Sequence, residues 1–246
     1  PLQAVERSLV PSFTFLDSDL VVTVGPDGLV ANTAKYVGGR PIVAVNPDPA
    51  RIDGVLSRVS GRGARAAAAR AMEGRARIRE VTMALARTAD GQRLLAFNDL
   101  FLGARSHVSA RYSLAWAGKT ERQSSSGIIV STGAGSTGWL SSVFNMAAGL
   151  TGAFGGTPPG RPRLGWDDPR LAFAVREPFA SRESGTALAA GLIEAGSELV
   201  VESLMPSGGT VFSDGVEGDF LAFDSGTVVR IGAAEERARL VFPDEA

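Results

Sequence analysis

Residues 20–36 read LVVTVGPDGLVANTAKY, and their pattern predicts the architecture of the first part of the chain. The β-branched apolar run 20–24 predicts a short strand, the segment 25–28 a tight turn, and residues 29–36 a helix. Residues 41–45 (PIVAV) predict a second strand, which ends before two prolines. Strand, helix and strand in this order form a βαβ unit, so we expect a parallel sheet with ligand sites at the carboxyl ends of its strands.

The rest of the chain changes from helical to β-type patterning near residue 80. Residues 61–78 are rich in Ala and Arg and predict an exposed basic helix. Beyond them, strand-like runs separated by turn residues lie at 81–87, 93–102, 110–116, 127–131, 171–175, 197–203, 210–212 and 228–231. The Gly- and Pro-rich residues 149–163 predict a surface loop. We therefore predict an α/β domain over 1–80 and a mostly antiparallel β-rich domain over 81–246, with a ligand site between them.

Composition excludes several classes of function. The chain has 246 residues, 44% of them hydrophobic, and a formal net charge of -1, which disfavours general binding to nucleic acid or to anionic membranes. It contains no cysteine, so disulfides, thiolate metal sites and cysteine nucleophiles are excluded. His107 is the one histidine, and multi-histidine metal sites are therefore excluded as well. We expect a cytoplasmic protein, or a mitochondrial matrix protein if the start is that of a processed precursor.

Residues 133–138 (GAGSTG) match the dinucleotide fingerprint G-x-G-x-x-G between a predicted strand and a predicted helix over 139–148. A Rossmann dehydrogenase also needs an acidic residue about 20 positions further on, yet no Asp or Glu occurs between Glu121 and Asp167. Two interpretations of the glycines remain open: close approach of the backbone to a ligand, or close packing of helix on strand.

The pattern of residues argues against two other classes of protein, the serine hydrolases and the P-loop nucleotide-binding proteins. Ser136 as a serine-hydrolase nucleophile would need a histidine after it in the chain, whereas His107 lies before it and is more typical of an exposed loop. The P-loop pattern G-x-x-x-x-G-K-[ST] does not occur.

Six segments, in chain order, carry a resemblance to one family. They are 22–29 (VTVGPDGL), 45–51 (VNPDPAR), 96–103 (AFNDLFLG), 125–139 (SSGIIVSTGAGSTGW), 176–182 (REPFASR) and 212–215 (FSDG). The first four resemble the G-G-D-G-T, V-N-x-D-P-x-R, A-L-N-E-V-x-x-G and S-S-G…T-G-x-G-S-x-x-W segments of the NAD kinase family, especially of its mitochondrial-type branch. The similarity extends over about residues 20–240, and its ordered set of motifs is more specific than any single one.

The resemblance implies a fold and a reaction. The fold is an N-terminal Rossmann-like α/β domain, truncated here, followed by an antiparallel β-sandwich. The reaction is transfer of the γ-phosphoryl group of ATP, with Mg²⁺, to the adenosine ribose 2′-hydroxyl of NAD, which gives NADP. The implied partners are NAD and ATP, with no nucleic acid and no membrane, in a homodimer or homotetramer.

Roles follow position by position from the resemblance. Asp27 would orient the 2′-hydroxyl or accept its proton, with Gly25 and Gly28 giving the phosphates access. Asn98 and Asp99 would hold the NAD, and no residue is expected to form a protein metal site. The remaining NAD-binding residues are Ser136, Thr137, Gly138 and Trp139, the last three lining the adenosine pocket.

Three differences from the family pattern leave alternatives open. Pro26 replaces a glycine and removes a backbone N–H, and Leu29 replaces a threonine hydroxyl. About 20 residues precede the first motif, so we expect that the family's first βα unit is absent or lies outside this chain, and that a sheet edge is exposed. The alternatives to an active NAD kinase are a weakened dinucleotide-binding or regulatory relative and a related kinase for another small molecule or a lipid.

Overall fold

The computed structural model describes residues 2–243. Its strands are β1 (Val21–Val24), β2 (Pro41–Asn46), β3 (Val59–Ser60), β4 (Arg77–Thr88), β5 (Arg93–Ala96), β6 (Asp99–Ala104), β7 (Ala110–Trp116), β8 (Lys119–Ser125), β9 (Ile128–Ser131), β10 (Leu171–Val175), β11 (Ala190–Ile193), β12 (Leu199–Ser203), β13 (Gly209–Ser213), β14 (Val216–Ala222) and β15 (Val228–Phe242). The α-helices are α1 (Asp27–Ala34), α2 (Ala64–Met72) and α3 (Trp139–Ala153), with 3₁₀ turns at Arg7–Ser12 and Gly135–Thr137.

The described residues divide into two compact units. Unit 1 contains residues 2–81 together with 236–243, and unit 2 contains Thr82–Glu235. The long strands β4 and β15 each begin in one unit and end in the other.

Unit 1 is built on the predicted parallel βαβ unit. β1 pairs with β2 in parallel, from Val21 opposite Ile42 to Val24 opposite Val45, which confirms the sequence prediction. The end of β15 pairs in parallel with the start of β2, and β3 pairs with its end. Val43, Val45 and Val59 form a buried cluster with Ala67 of α2 and Val241 of β15.

Strand β1 lies at the end of this sheet and pairs only with β2 among the described residues. The side chains of Val22 and Val24 are 44% and 59% exposed. Strand β1 is therefore an edge of this sheet, as expected, in the part of the chain that the structure describes.

Unit 2 is an antiparallel β-sandwich, as predicted. One sheet contains β8, β7, β12 and the first part of β15, and the other has the order β11, β10, β9, β6, β13, β14. Residues from both sheets share one core, with Tyr112, Phe173 and Phe223 among its largest fully buried side chains. Burial of this apolar surface is the main favourable term in holding two sheets together.

The structure corrects several predicted boundaries. The run 93–102 is two strands, β5 and β6, because the chain crosses from one sheet to the other at Phe97 and Asn98. The final strand continues from Ile231 to Phe242, and α3 runs to Ala153, into the predicted loop. Residues 2–243 contain no helix of the length and apolar character that a membrane crossing requires.

Candidate functional site

The residues singled out from the sequence fall into two groups, one in each unit. Gly25, Asp27 and Gly28 belong to unit 1, at the end of β1 and the start of α1. The second group, in unit 2, comprises Asn98, Asp99, Ser136, Thr137, Gly138 and Trp139. His107 is exposed in the loop after β6, as predicted, and contributes to neither group.

Asp27 is the first residue of α1, and its carboxylate binds a loop of the same unit. Oδ2 accepts the Val55 N–H at 2.8 Å, and Oδ1 accepts both the Ser57 N–H at 2.9 Å and the Ser57 hydroxyl at 2.7 Å. Ser57 is 1% exposed, so this contact is the buried end of the loop. The carboxylate thus fixes the backbone of residues 55–57 against the helix start.

The environment keeps Asp27 ionised. Burial acts to raise the pKa of its carboxyl, but hydrogen bonds from the Ser57 side chain and from the backbone of residues 55–57 outweigh burial and hold the pKa below its ordinary value. A carboxylate has about four acceptor positions. Three are used by described residues, and the fourth, on Oδ2, is not.

The two glycines beside Asp27 differ in their surroundings. The Gly25 N–H donates to the Val45 carbonyl at 3.1 Å, and a Cβ at this position would lie 3.0 Å from the Leu29 side chain. No atom lies within 4 Å of the position that a Cβ on Gly28 would take. The space beside Gly28 is therefore open, whereas the Leu29 side chain lies against Gly25.

In unit 2, the crossing between β5 and β6 is held by Asp214. Its Oδ2 accepts the Phe97 N–H at 2.9 Å, and its Oδ1 accepts the N–H groups of Asn98 at 2.6 Å and Asp99 at 3.3 Å. The Asp214 N–H in turn donates to the Asp99 carbonyl at 3.0 Å. One side chain thereby binds three consecutive amides of the segment 97–99.

The glycine motif holds the same segment from the other side. The Thr132 hydroxyl donates to the Phe97 carbonyl at 2.7 Å, and the Thr132 N–H donates to the Asn98 carbonyl at 2.9 Å. A Cβ on Gly135 would overlap the Asn98 carbonyl, and one on Gly133 would overlap the Gly165 carbonyl. These two glycines therefore allow backbone to pack on backbone, which favours the packing interpretation of the motif.

The backbone of 97–99 is fixed, while two of its side chains have no partner among the described residues. Neither the Asn98 carboxamide nor the Asp99 carboxyl makes a hydrogen bond within residues 2–243, although Asp99 is 9% exposed. Burial, and then the charge of Asp214, raise the pKa of Asp99 to about 7. The Asn98 and Asp99 side chains therefore lie next to each other in sequence on a fixed backbone, and each has polar atoms that no described residue binds.

The four residues of the segment 136–139 differ in their burial and in their contacts. The Ser136 hydroxyl donates to the Gly133 carbonyl at 2.7 Å and stabilises the turn, while Thr137 and Gly138 are exposed. Trp139 is half-buried and stacks on Phe101 with a ring-centre distance of 5.5 Å. The Arg176 guanidinium lies 5.4 Å from the Trp139 ring. Trp139 thus presents an aromatic face beside a cation.

Sequence reasoning missed two residues that the structure makes central, Ser57 and Asp214. Asp214 lies in the segment 212–215, which resembles the family, but the resemblance assigned it no role. A signal existed, since an Asp-Gly pair between two strand-like runs indicates a tight hairpin turn. Ser57 had no signal, because its contact with Asp27 spans 30 residues.

The described residues contain no group of three or more carboxylates or imidazoles that could hold a metal ion. Asp27 is the one acidic residue in the first turn of α1, and three of its acceptor positions are used by the protein. Mg²⁺ commonly binds through one or two carboxylates and the substrate phosphates, so these residues fit a metal that arrives with a nucleotide and not a protein-built cage.

Comparison with known proteins gives one type of match. No protein-family model and no curated protein matches the sequence. A crystal structure of yeast NADH kinase in complex with NADH matches with a TM-score of 0.67 and 17% sequence identity. The match covers 92% of this chain and 62% of the yeast chain, so this chain spans less than two thirds of that protein. From the two units and this match together, the chain has the NAD kinase-like fold, an α/β part and a β-sandwich.

Proposed function

We propose that the chain is an NAD kinase that transfers the γ-phosphoryl group of ATP to the adenosine ribose 2′-hydroxyl of NAD. The observation that carries the proposal is the convergence in unit 2 of three separate motif segments, 97–99, 132–136 and 214, around two side chains without partners. The yeast structure with the same fold is an NADH kinase, which agrees with this activity. The relation to the mitochondrial-type branch rests on the motifs alone and is part of the proposal.

In the proposed reaction, the 2′-oxygen forms a bond to the γ-phosphorus as the bond to the β–γ bridging oxygen breaks, and ADP leaves. The 2′-hydroxyl proton passes to the Asp27 carboxylate, which releases it to solvent. Asp27 offers its remaining acceptor position on Oδ2 to that hydroxyl and so orients the 2′-oxygen. Phosphoryl transfer depends more on positioning and charge neutralisation than on a strong base, so the low pKa of Asp27 is compatible with this role.

The other predicted residues would hold the two substrates. Asn98 and Asp99 offer a carboxamide and a carboxyl to ribose hydroxyls. The exposed Thr137 and Gly138 and the half-buried Trp139 line the adenosine. Gly28 gives the ATP phosphates access. When bound with ATP, Mg²⁺ supplies positive charge to the phosphate oxygens.

The test is production of NADP, measured with an NADP-specific dehydrogenase after incubation with NAD, ATP and Mg²⁺. Asp27→Asn removes the charge but keeps the shape, and we expect its kcat to fall about 100-fold or more. Glu73→Gln is the matched control, because Glu73 is a carboxylate of the same unit paired only with the exposed Arg75. Equal rates for wild type and Asp27→Asn would remove Asp27 from the mechanism.

A second candidate function, dinucleotide binding without catalysis, is favoured by the surroundings of Asp27. Pro26 has no N–H to offer a phosphate, and Leu29 lies 3.0 Å from the Cβ position of Gly25. NAD binding in calorimetry, without any NADP formed, would select this function. Phosphorylation of another acceptor while NAD stays inert would select the related small-molecule kinase.

The quaternary state belongs to the same proposal. The exposed edge at β1, with Val22 and Val24, is where a second copy of the chain would extend the sheet. We expect light scattering to give the mass of a homodimer or homotetramer, and a monomer mass at working concentration would contradict this.

A further inference from the structure

The turn between β13 and β14 points directly at the segment 97–99. Asp214 has a φ of 52°, in the left-handed region that Asp tolerates better than most residues. It follows Ser213, which is opposite Leu100 in the pairing of β13 with β6. The turn is therefore attached to the strand that begins at Asp99, and the Asp214 side chain lies beside that strand's first residue.

The segment 97–99 needs such a partner because of where the chain runs. β5 pairs with β4 in one sheet, and β6 pairs with β9 and β13 in the other. At the crossing, consecutive amides lose the regular partners that a strand supplies. Buried backbone N–H groups require partners, and the Asp214 carboxylate supplies them to three residues in a row.

From this arrangement we propose that Asp214 is a positioning residue of the dinucleotide site, which sets the directions of the Asn98 and Asp99 side chains through their backbone amides. This inference rests on the proposed NAD-binding function. The Asp214 carboxylate binds the backbone amides of 97–99, whereas the side chains of Asn98 and Asp99 make no hydrogen bond within residues 2–243 and would contact NAD. The Thr132 contacts to the carbonyls of 97 and 98 complete the clamp from the opposite side.

The effect of Asp214 is also electrostatic. Its charge is the second cause, after burial, of the raised pKa of Asp99. Hydrogen bonds from amides to a carboxylate are charge-assisted and are stronger than those between neutral groups. An asparagine at this position would keep the shape of the side chain but would turn one of its two acceptors into a donor facing an N–H.

The experiment is calorimetric titration of the full chain with NAD and, separately, with ATP and Mg²⁺. Asp214→Asn is expected to raise the Kd for NAD roughly tenfold or more, because it loses charge-assisted hydrogen bonds, and to leave the Kd for ATP unchanged. Asp224→Asn is the matched control: Asp224 follows β14 in the same hairpin and accepts the Gly209 N–H at 3.0 Å, away from the segment 97–99. It should leave the Kd for NAD within about twofold.

Amide hydrogen exchange separates positioning from general stability. Asp214→Asn should increase exchange at residues 97–99 and leave exchange in β7 and β12 unchanged. Asp214→Gly is a second variant that relieves the left-handed backbone and removes every side-chain acceptor, and it should weaken NAD binding at least as much.

Several outcomes would overturn the assignment. NAD binding by Asp214→Asn equal to wild type would remove the role of Asp214 alone, and so would parallel losses of NAD and ATP affinity. Failure of both variants to fold would contradict it too, because the assigned role is local. Absence of NAD binding by the wild type would instead remove the proposed function, and the role with it.

Discussion

Asp27 and Asp99 are both aspartates, yet their surroundings move their pKa values in opposite directions. Asp27 receives three hydrogen bonds from Val55 and Ser57, which hold its pKa low. Asp99 receives none within the described residues and lies near Asp214, so its pKa rises to about 7. The fold therefore stabilises the ionised form of Asp27 and destabilises the ionised form of Asp99.

The raised pKa of Asp99 should make the stability of the folded chain depend on pH. Because its pKa is higher in the folded chain than the ordinary 3.8, the folded state holds the proton more tightly, and stability falls as pH rises from about 3.8 to about 7. Asp99→Asn removes this loss and should stabilise the chain by about 1–3 kcal/mol above pH 7. Thermal unfolding at several pH values measures it, with exposed Asp53→Asn as the control for net charge. A gain that is the same at all pH values would contradict the assignment.

The contact of Ser57 with Asp27 should make folding stability depend on pH in the opposite direction. The pKa of Asp27 is lowered, so the stability it contributes is present above its ordinary value of 3.8 and is lost as pH falls through the lower folded value. Ser57→Ala removes one hydrogen bond and should destabilise the chain by about 1 kcal/mol at neutral pH. Urea unfolding at neutral and at acid pH checks this, and the exposed Ser106→Ala serves as control. An undiminished loss at acid pH would show that Asp27 is not the partner that matters.

At the scale of elements, the glycine motif joins β9 to α3 and clamps the crossing from β5 to β6. Gly135 fits under the Asn98 carbonyl because it lacks a Cβ. The atoms that a Cβ on Gly135 would meet belong to the backbone of Asn98, which cannot change rotamer as a side chain can. A larger residue at this position must therefore displace the segment 97–99.

Gly135→Ala should therefore cost about 2–4 kcal/mol of unfolding free energy and abolish NAD binding. Gly149→Ala is the control within the same region: Gly149 lies in α3, is exposed, and has no atom within 4 Å of a Cβ position. It should gain about 0.5–1 kcal/mol because Ala is the better helix former. Chemical denaturation of both variants measures the contrast, and a Gly135→Ala chain as stable as wild type would show that the turn can shift.

The sequence predicted the elements that have strong local patterns. Local patterns predicted the strands β1 and β2 and the antiparallel character of residues 81–231, because apolar alternation and turn residues are local signals. The break at Phe97 and Asn98 could not be predicted, since the run 93–102 continues without Gly or Pro. The side chain that binds the N–H groups at the break, Asp214, lies more than 115 residues further along the chain. The site residues came from the resemblance, whereas their partners Ser57 and Asp214 required the structure.

At the scale of the whole chain, unit 1 is not continuous in sequence. The last part of β15 returns to it, where Arg239 pairs with Pro41 and Leu240 with Ile42. The sequence predicted a strand only to residue 231, because the charged residues 235–237 interrupt the apolar alternation. A domain boundary near residue 80 therefore describes only one of the two chain passages between the units.

This topology predicts that a residue close to the chain end is as sensitive as a core residue. Leu240 is fully buried, and Leu240→Ala should cost about 2–5 kcal/mol of unfolding free energy, whereas exposed Glu235→Ala should change it by less than about 0.5 kcal/mol. Denaturant unfolding measures both. A negligible loss at Leu240 would mean that the end of β15 is not part of the sheet of unit 1.

Phosphorus NMR of the reaction product identifies the oxygen that the proposed enzyme would phosphorylate. After incubation of the full chain with NAD, ATP and Mg²⁺, we expect one new phosphomonoester signal, on the adenosine ribose 2′-oxygen, together with an equal amount of ADP. The Asp27→Asn chain should give neither within the same time. Unchanged NAD beside unchanged ATP in the wild-type reaction, or a phosphate on any other oxygen, would contradict the assignment of this chain as an NAD kinase.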